Sequence, residues 1–421
     1  MKKICVLGLG YIGLPTAAMF ATHGFNVLGV DVKEKVVEIL NNGDVHIQEA
    51  GLKTLAQAAV KSGNLITSLK PDYADAFIIA VPTPFTKEDK KGDLSYVISA
   101  AESIVPFLRP GNLVILESTS PPRTTEDILV PILERSGLVV SRGQSKVAGS
   151  LYVAHCPDKV LPGRILKELE NNDRVIGGVD RAAAEMAKAL YALFVEGDIF
   201  LTDATTAEMV KLMENTYRDV NIALANESAL VAEKVRTNIW ETIEPANRHP
   251  RVNILKPGPG VGGHCIAVDP WFIVQTVPEM TPLIQTARRV NDSMPGDMVE
   301  LVKQAVGEVY KPVIACLGLT YKGDVDDIRE SPAIKVIELL RAEGFELRAY
   351  DPFVPLKVIP AQVPTIEAAL SGADMVLILT DYTAFKELQW NAKSCPVIDT
   401  RDVLNVGAQK GRCIVLGKGK K

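Results

Sequence analysis

A cysteine set directly behind a run of glycines is a candidate nucleophile. In KPGPGVGGHCIAVDP, Gly258, Gly260, Gly262 and Gly263 lead through His264 to Cys265, with Asp269 and Pro270 following. Glycines let a ligand or another backbone approach closely, and a thiol in such a loop, four residues before an acid, is placed to attack a carbonyl carbon. The competing reading is a buried, inert thiol, the commoner fate of a cysteine. No other Cys or His stands at a ligand-like spacing, so no metal is expected. A second constellation lies near the start: Gly8, Gly10 and Gly13, then Asp31. The first glycine permits a tight turn, the second lets backbone approach a pyrophosphate, and the third lets a helix sit close to a sheet. Phosphates then rest on the helix N-terminus. Asp31 is placed to accept hydrogen bonds from the adenosine ribose and would repel a 2′-phosphate, so the expected cofactor is NAD, not NADP. The third constellation is Lys211, Asn215 and Arg218, spaced to share one face of a helix. A polar stripe there is either functional or simply solvated.

These residues need elements to hold them. Lys3–Leu9 is a short apolar run ending in glycines and followed by a helix-like stretch, 12–22; a second run, Phe25–Val30, ends in Asp31. Ala76–Val81 and Leu113–Leu116 are further short β-rich runs, the pattern of βαβ units around a buried parallel sheet. The plan recurs later. VLGLGYIG at Val6–Gly13 is echoed by CLGLTYKG at Cys316–Gly323, and GFNVLGVD at Gly24–Asp31 by GFELRAYD at Gly344–Asp351. In the second copy Thr320 replaces the middle glycine and Lys322 replaces Ile12. Loss of that glycine argues against a second dinucleotide, and a lysine at a helix mouth suits a different phosphorylated ligand; a plain surface lysine is the alternative. Ala204–Val235 holds no Gly or Pro and reads as one long helix, with Met209, Leu212, Met213, Thr216 and Val220 at helical spacing. The expected fold is α/β, two Rossmann-like doubly wound domains joined by a long central helix. The expected division is residues 1–200, 201–300 and 301–421, with a homodimer through the central helix. The final GKGKK is expected to fray.

Composition narrows the function classes. A net charge of −5 argues against a nucleic-acid binder. Hydrophobic residues at 47% and charged ones at 23% exclude disorder, and no apolar run is long enough to span a membrane. The opening MKKICVLGLG reads as a first strand and turn instead of a signal peptide. Six scattered cysteines without a CxxC pair suit reduced thiols, hence the cytoplasm; Cys5, Cys316 and Cys395 sit in or beside expected strands and read as core.

Taken together, VLGLGYIGLPTAA, AVPTPF, ILESTSP, NDRVIGG, the Lys211 helix, NRHPRVNI through VGGHCIAVDPWF, and GLTYKGDVDDIRESPA resemble the UDP-sugar 6-dehydrogenases, the family of UDP-glucose dehydrogenase. The NRHPRVNI to DPWF string points to the N-acetylmannosamine branch. The resemblance implies a two-step, four-electron oxidation of C6 of a UDP-hexosamine by NAD to a uronic acid used in polysaccharide biosynthesis. It places Cys265 as thiol nucleophile and Lys211 as catalytic lysine. Asn215 and Asp269 hold a water and orient the lysine, and Thr119 is a strand-end threonine of the site. Tyr11, Ile12, Asp31, Thr83, Thr119 and Thr125 fall on the NAD side, with Arg329 near the nicotinamide. Lys159, Val160, Arg218, His249, Arg251, Gly262, Tyr321, Lys322 and Arg401 fall on the nucleotide-sugar side, which Lys211 and Asn215 also touch. Two departures stand out: Asp158 replaces the family's glutamate as water activator, and Lys159 replaces an arginine. UDP-glucose, UDP-N-acetylglucosamine and UDP-N-acetylgalactosamine remain alternative substrates. A two-electron hydroxyacid dehydrogenase would leave Cys265 and the second Rossmann-like domain unexplained, and a nucleotide sensor would make the cysteine loop purely structural.

Overall fold

The computed structural model describes every residue except 48, 87–89, 144–148, 162, 264, 308, 387–394, 405–412 and 420–421. His264 and the last two lysines of the tail therefore lie outside the described residues. The chain forms two compact units: Met1–Glu214 with Trp271–Pro278, and Asn215–Pro270 with Glu279–Lys421.

The first unit is built on strands β1 (Lys3–Leu7), β2 (Asn26–Val30), β3 (Leu65–Ser68), β4 (Ala76–Ile79), β7 (Leu113–Leu116), β8 (Tyr152–His155), β9 (Arg174–Gly178) and β10 (Ile199–Asp203), with a small hairpin of β5 (Phe85–Thr86) and β6 (Lys91–Gly92). They pair in the order β10-β9-β8-β7-β4-β1-β2-β3. The helices are α1 (Gly13–Thr22), α2 (Glu34–Asn41), α3 (Leu52–Lys61), α4 (Ser95–Ile104), α5 (Val130–Glu134), α6 (Ile165–Asn171) and α7 (Arg181–Tyr191). Alternate residues of β1 bury on opposite faces, Ile4 and Val6 with Leu14 and Phe20, Cys5 and Leu7 with Val97 and Ile104. Helices thus cover both faces, which is why the strands read as continuous apolar runs. One pairing breaks the parallel pattern: β8 and β9 run antiparallel.

The expected long helix is α8 (Ala204–Val235), uninterrupted because nothing in it removes an amide hydrogen or frees the backbone. Leu212 and Thr216 are buried as the periodicity predicts, but Met213 faces solvent. After α9 (Ile239–Ala246) the chain crosses the glycine-rich loop into α10 (Asp269–Thr276), whose Trp271, Phe272, Ile273 and Val274 are buried.

The second unit continues with α11 (Pro282–Val306) and a parallel sheet of β11 (Val313–Leu317), β12 (Glu346–Tyr350), β13 (Met375–Ile378), β14 (Val397–Asp399) and β15 (Cys413–Val415), ordered β12-β11-β13-β14-β15. Its helices are α12 (Pro332–Ala342), α13 (Ile366–Leu370) and α14 (Thr383–Lys386). The echoed segments do form β11 and β12, yet three expectations are corrected. Lys322 is not at a helix mouth, since α12 begins only at Pro332, and it stands exposed in the loop between. Cys395 is only half-buried. The tail is docked as far as Gly419: the Ile239 amide donates to the Gly417 carbonyl, the Gly417 amide to Glu233, and Lys418 pairs with Asp402 at 2.8 Å. Among the described residues, no helix is long and apolar enough to cross a membrane.

Candidate active site

In the first unit the turn from β1 to α1 has the geometry that a dinucleotide requires. Gly8 has φ +88°, and a Cβ there would lie 2.5 Å from the Ala80 carbonyl oxygen. A Cβ on Gly13 would collide with the Gly8 carbonyl, so the helix presses on the turn, whereas a Cβ on Gly10 would meet nothing within 4 Å. The first turn of α1 has no side-chain cap and no acidic residue, so no side chain there opposes an anion at the positive end of the helix. Tyr11 is exposed and Ile12 half-buried at the helix entry. Asp31, at the end of β2, accepts from the Leu9 amide at 3.0 Å and the Lys33 amide at 2.9 Å. These residues fit NAD.

The second unit has a counterpart to each part, with the space filled. Asp351 accepts from the Leu319 amide at 2.6 Å, as Asp31 does from Leu9, but it also takes the Tyr382 hydroxyl at 2.7 Å. Thr320, in the place of Gly10, lies 2.6 Å from the same hydroxyl. The acid and the open position of the first turn are both consumed by protein groups.

Of the residues expected on the cofactor side, Thr83 donates to the Thr119 carbonyl at 2.8 Å, tying the loops after β4 and β7 together. Thr125 is buried and donates to Glu208 of α8 through both its amide, at 2.8 Å, and its hydroxyl, at 2.6 Å. Lys211, one turn further along α8, pairs with Asp158 at 3.6 Å. Lys159 pairs with Glu214 at 2.5 Å, and Val160 packs against the core. Beneath these groups Glu117, the residue after β7, is fully buried, with the Tyr191 hydroxyl at 3.1 Å and Arg174 at 3.7 Å. Burial pushes its carboxyl up to about 7, against the pull of Arg174. Desolvation likewise raises Glu208 to about 7 despite its hydrogen bonds to Thr125 and Arg123. Sequence reasoning named neither acid. Glu208 carried a signal, standing one helical turn before Lys211; Glu117 carried none beyond its place at a strand end.

In the second unit, Cys265 is exposed, which removes the buried-thiol reading. Burial pushes the thiols of Cys5 and Cys316 up to about 12 and of Cys156 to about 11, so those three are inert. The Cys265 carbonyl accepts the Asp269 amide at 2.8 Å, and the Asp269 carboxylate accepts Asn215 of α8 at 2.6 Å. The loop Gly318–Ser331 packs on the glycines: Gly262 and Gly263 have no room for a Cβ beside Tyr321, and the Gly263 amide donates to the Arg329 carbonyl at 2.9 Å. Burial raises the Tyr321 phenol, with Asp327 and Cys265 adding to the rise and Arg218 opposing it, so these groups share one neighbourhood. The Arg329 guanidinium pairs with Asp327 at 2.6 Å. Gly258 makes way for Arg401, whose guanidinium reaches the carbonyls of Leu379 and Tyr321 at 3.5 Å each among the described residues. His249 and Arg251 share an exposed turn, where the Arg251 amide donates to His249 at 3.3 Å. Among the described residues this is the one hydrogen bond that joins either of them to another residue assigned to the nucleotide sugar.

Residues 2–195 match the NAD binding domain of the UDP-glucose/GDP-mannose dehydrogenase family, 205–293 its central domain and 315–406 its UDP binding domain. A UDP-N-acetyl-D-mannosamine dehydrogenase of Methanocaldococcus jannaschii is 51% identical, with 100% of this chain and 97% of that protein aligned. An NDP-N-acetyl-D-galactosaminuronic acid dehydrogenase of Ralstonia nicotianae is 48% identical over 95% of this chain and 96% of its own. The solved UDP-D-ManNAc dehydrogenase of Pyrococcus horikoshii superposes with a TM-score of 0.91 at 44% identity, covering 99% of both chains. Fold and cofactor turn define an NAD-dependent oxidoreductase. The chain belongs to the UDP-glucose/GDP-mannose dehydrogenase family.

Proposed function

We propose that this protein oxidises C6 of UDP-N-acetyl-D-mannosamine twice, giving UDP-N-acetyl-D-mannosaminuronate. The observation that carries the four-electron reading is the exposed Cys265 at the end of the glycine-rich loop, its backbone bonded to Asp269. NAD, when bound, accepts a hydride in each oxidation. Lys211, with Asp158 beside it, offers a cation to oxygen as charge develops. The amide of Asn215 and the carboxylate of Asp269 hold a water that receives the C6 hydroxyl proton. The Cys265 thiolate adds to the aldehyde carbon, and the resulting thiohemiacetal loses a hydride and a proton to become a thioester. Water activated at Asp158 then cleaves the C–S bond, releasing the carboxylate and the thiol. Arg401, Lys322 and Tyr321 are assigned to the nucleotide sugar, and Thr83, Thr119 and Thr125 to the NAD side.

The choice of hexosamine rests on the 51% identical relative; the N-acetylgalactosamine series is the second reading, supported by a relative at 48%. A panel of UDP-sugars assayed to completion tests both. The expected yield is two NADH per UDP-N-acetyl-D-mannosamine; a yield of one returns the protein to two-electron chemistry. Cys265→Ala should keep UDP and NAD binding while acid formation falls by about 10³-fold or more. Six free cysteines support a cytoplasmic location. A homodimer through α8 is supported by Met213, Tyr217, Leu224, Val231 and Val235, all exposed. They lie within about 40° of one another around the helix.

A further inference from the structure

We propose that Glu208 is a positioning residue of this reaction, its carboxylate fastening the loop after β7 to the turn of α8 that carries Lys211. The proposal rests on the function just given. Glu208 is 1% exposed and receives three hydrogen bonds from one short segment: the Thr125 amide and hydroxyl at 2.8 and 2.6 Å, and the Arg123 amide at 2.5 Å. Arg123 has φ +72°, a left-handed backbone that a residue with a side chain adopts only under strain. The bond to Glu208 holds that conformation in place. The same segment reaches back to the other cofactor-side residues. Ser118 donates to the Val81 carbonyl at 2.7 Å and Thr83 donates to the Thr119 carbonyl at 2.8 Å. Thr83, Thr119 and Thr125 are therefore chained to Glu208, and one turn of helix carries the chain to Lys211, all within the first unit.

The chemistry of the donors explains why an acid stands there. Three donors converge on two oxygens, an arrangement a carboxylate satisfies and an amide does not: glutamine would turn its NH₂ toward the Arg123 N–H. Glu126, on the adjoining segment, adds its charge to the desolvation of Glu208, so this acid is retained against an electrostatic cost. What it gains is register between the cofactor-side threonines and the lysine, and a misplacement near 1 Å at such a site costs orders of magnitude in rate.

The test uses the full chain with NAD and UDP-N-acetyl-D-mannosamine. Glu208→Gln should lower kcat by about tenfold or more and raise KM for NAD. UDP affinity by calorimetry and the melting midpoint should stay near wild type. Thr125→Val removes the same hydroxyl bond from its other end, and it should lower kcat in the same direction, the double variant being no worse than Glu208→Gln alone. If Glu208→Gln does not fold, Thr125→Val decides by the same criteria. A kcat and KM for NAD within about twofold of wild type, or losses shared equally by UDP binding, would overturn the role. A wild type that oxidises no UDP-sugar condemns the proposed function; an active wild type with an indifferent Glu208→Gln condemns only this inference.

Discussion

Glu117 is a carboxyl group sealed in the first unit, one oxygen facing Tyr191 and the other without a hydrogen-bond partner among the described residues. Its usual value is 4.5 and burial moves it to about 7, so between those values the folded chain keeps a proton that the unfolded chain releases. Stability from this group therefore falls as pH rises through that window, with the full penalty, on the order of 3 kcal/mol, present above it. Glu117→Gln removes the ionisation and keeps the shape. Urea unfolding should find the variant level with wild type near pH 4.5 and more stable at pH 8; a gap independent of pH would mean that Glu117 is not the titrating group. The same arithmetic explains why Glu117 and Glu208 are hard to read from a sequence. A buried acid and a solvated one have the same letter, and only the packed neighbours separate them.

The turn between β1 and α1 divides its labour among three glycines, and the division is measurable. Gly8→Ala places a methyl group against the Ala80 carbonyl at a positive φ, so it should lower the melting midpoint and weaken NAD together. Gly10→Ala meets no protein atom, so the fold should be kept while KM for NAD rises by about tenfold. Equal melting losses in both variants would show that Gly10 is structural. This turn was legible because strand, glycines, helix and Asp31 are local in sequence. So was α8, since helix breakers act on the residues beside them. The second turn was misread for a complementary reason. CLGLTYKG copies the letters of the first, but the helix start depends on the residues beyond it, and the loop runs on to Ser331 before α12 begins. The antiparallel β8–β9 pairing and the docking of Gly417 were equally invisible, because both are contacts between segments far apart along the chain.

For the molecule as a whole, the exposed stripe on α8 should decide assembly. Leu224→Glu with Val231→Glu puts charge on two exposed apolar positions, 53% and 52% accessible, and should shift sedimentation from dimer to monomer without unfolding. A wild type that sediments as a monomer at all concentrations would rule out this interface. The path of the chain has a different consequence, for inheritance. Trp271–Pro278 belongs to the unit whose remaining residues end at Glu214. The ring of Phe272 fills the place of a side chain at Gly92, and the Gly92 amide donates to Gln275 at 2.7 Å. The cofactor half is thus not a cassette that one cut can excise. A recombinant gene joined near residue 214 to a foreign second half would bring a stranger's segment to Gly92. Shuffling within such a lineage should therefore leave its breakpoints where both parts travel from the same parent.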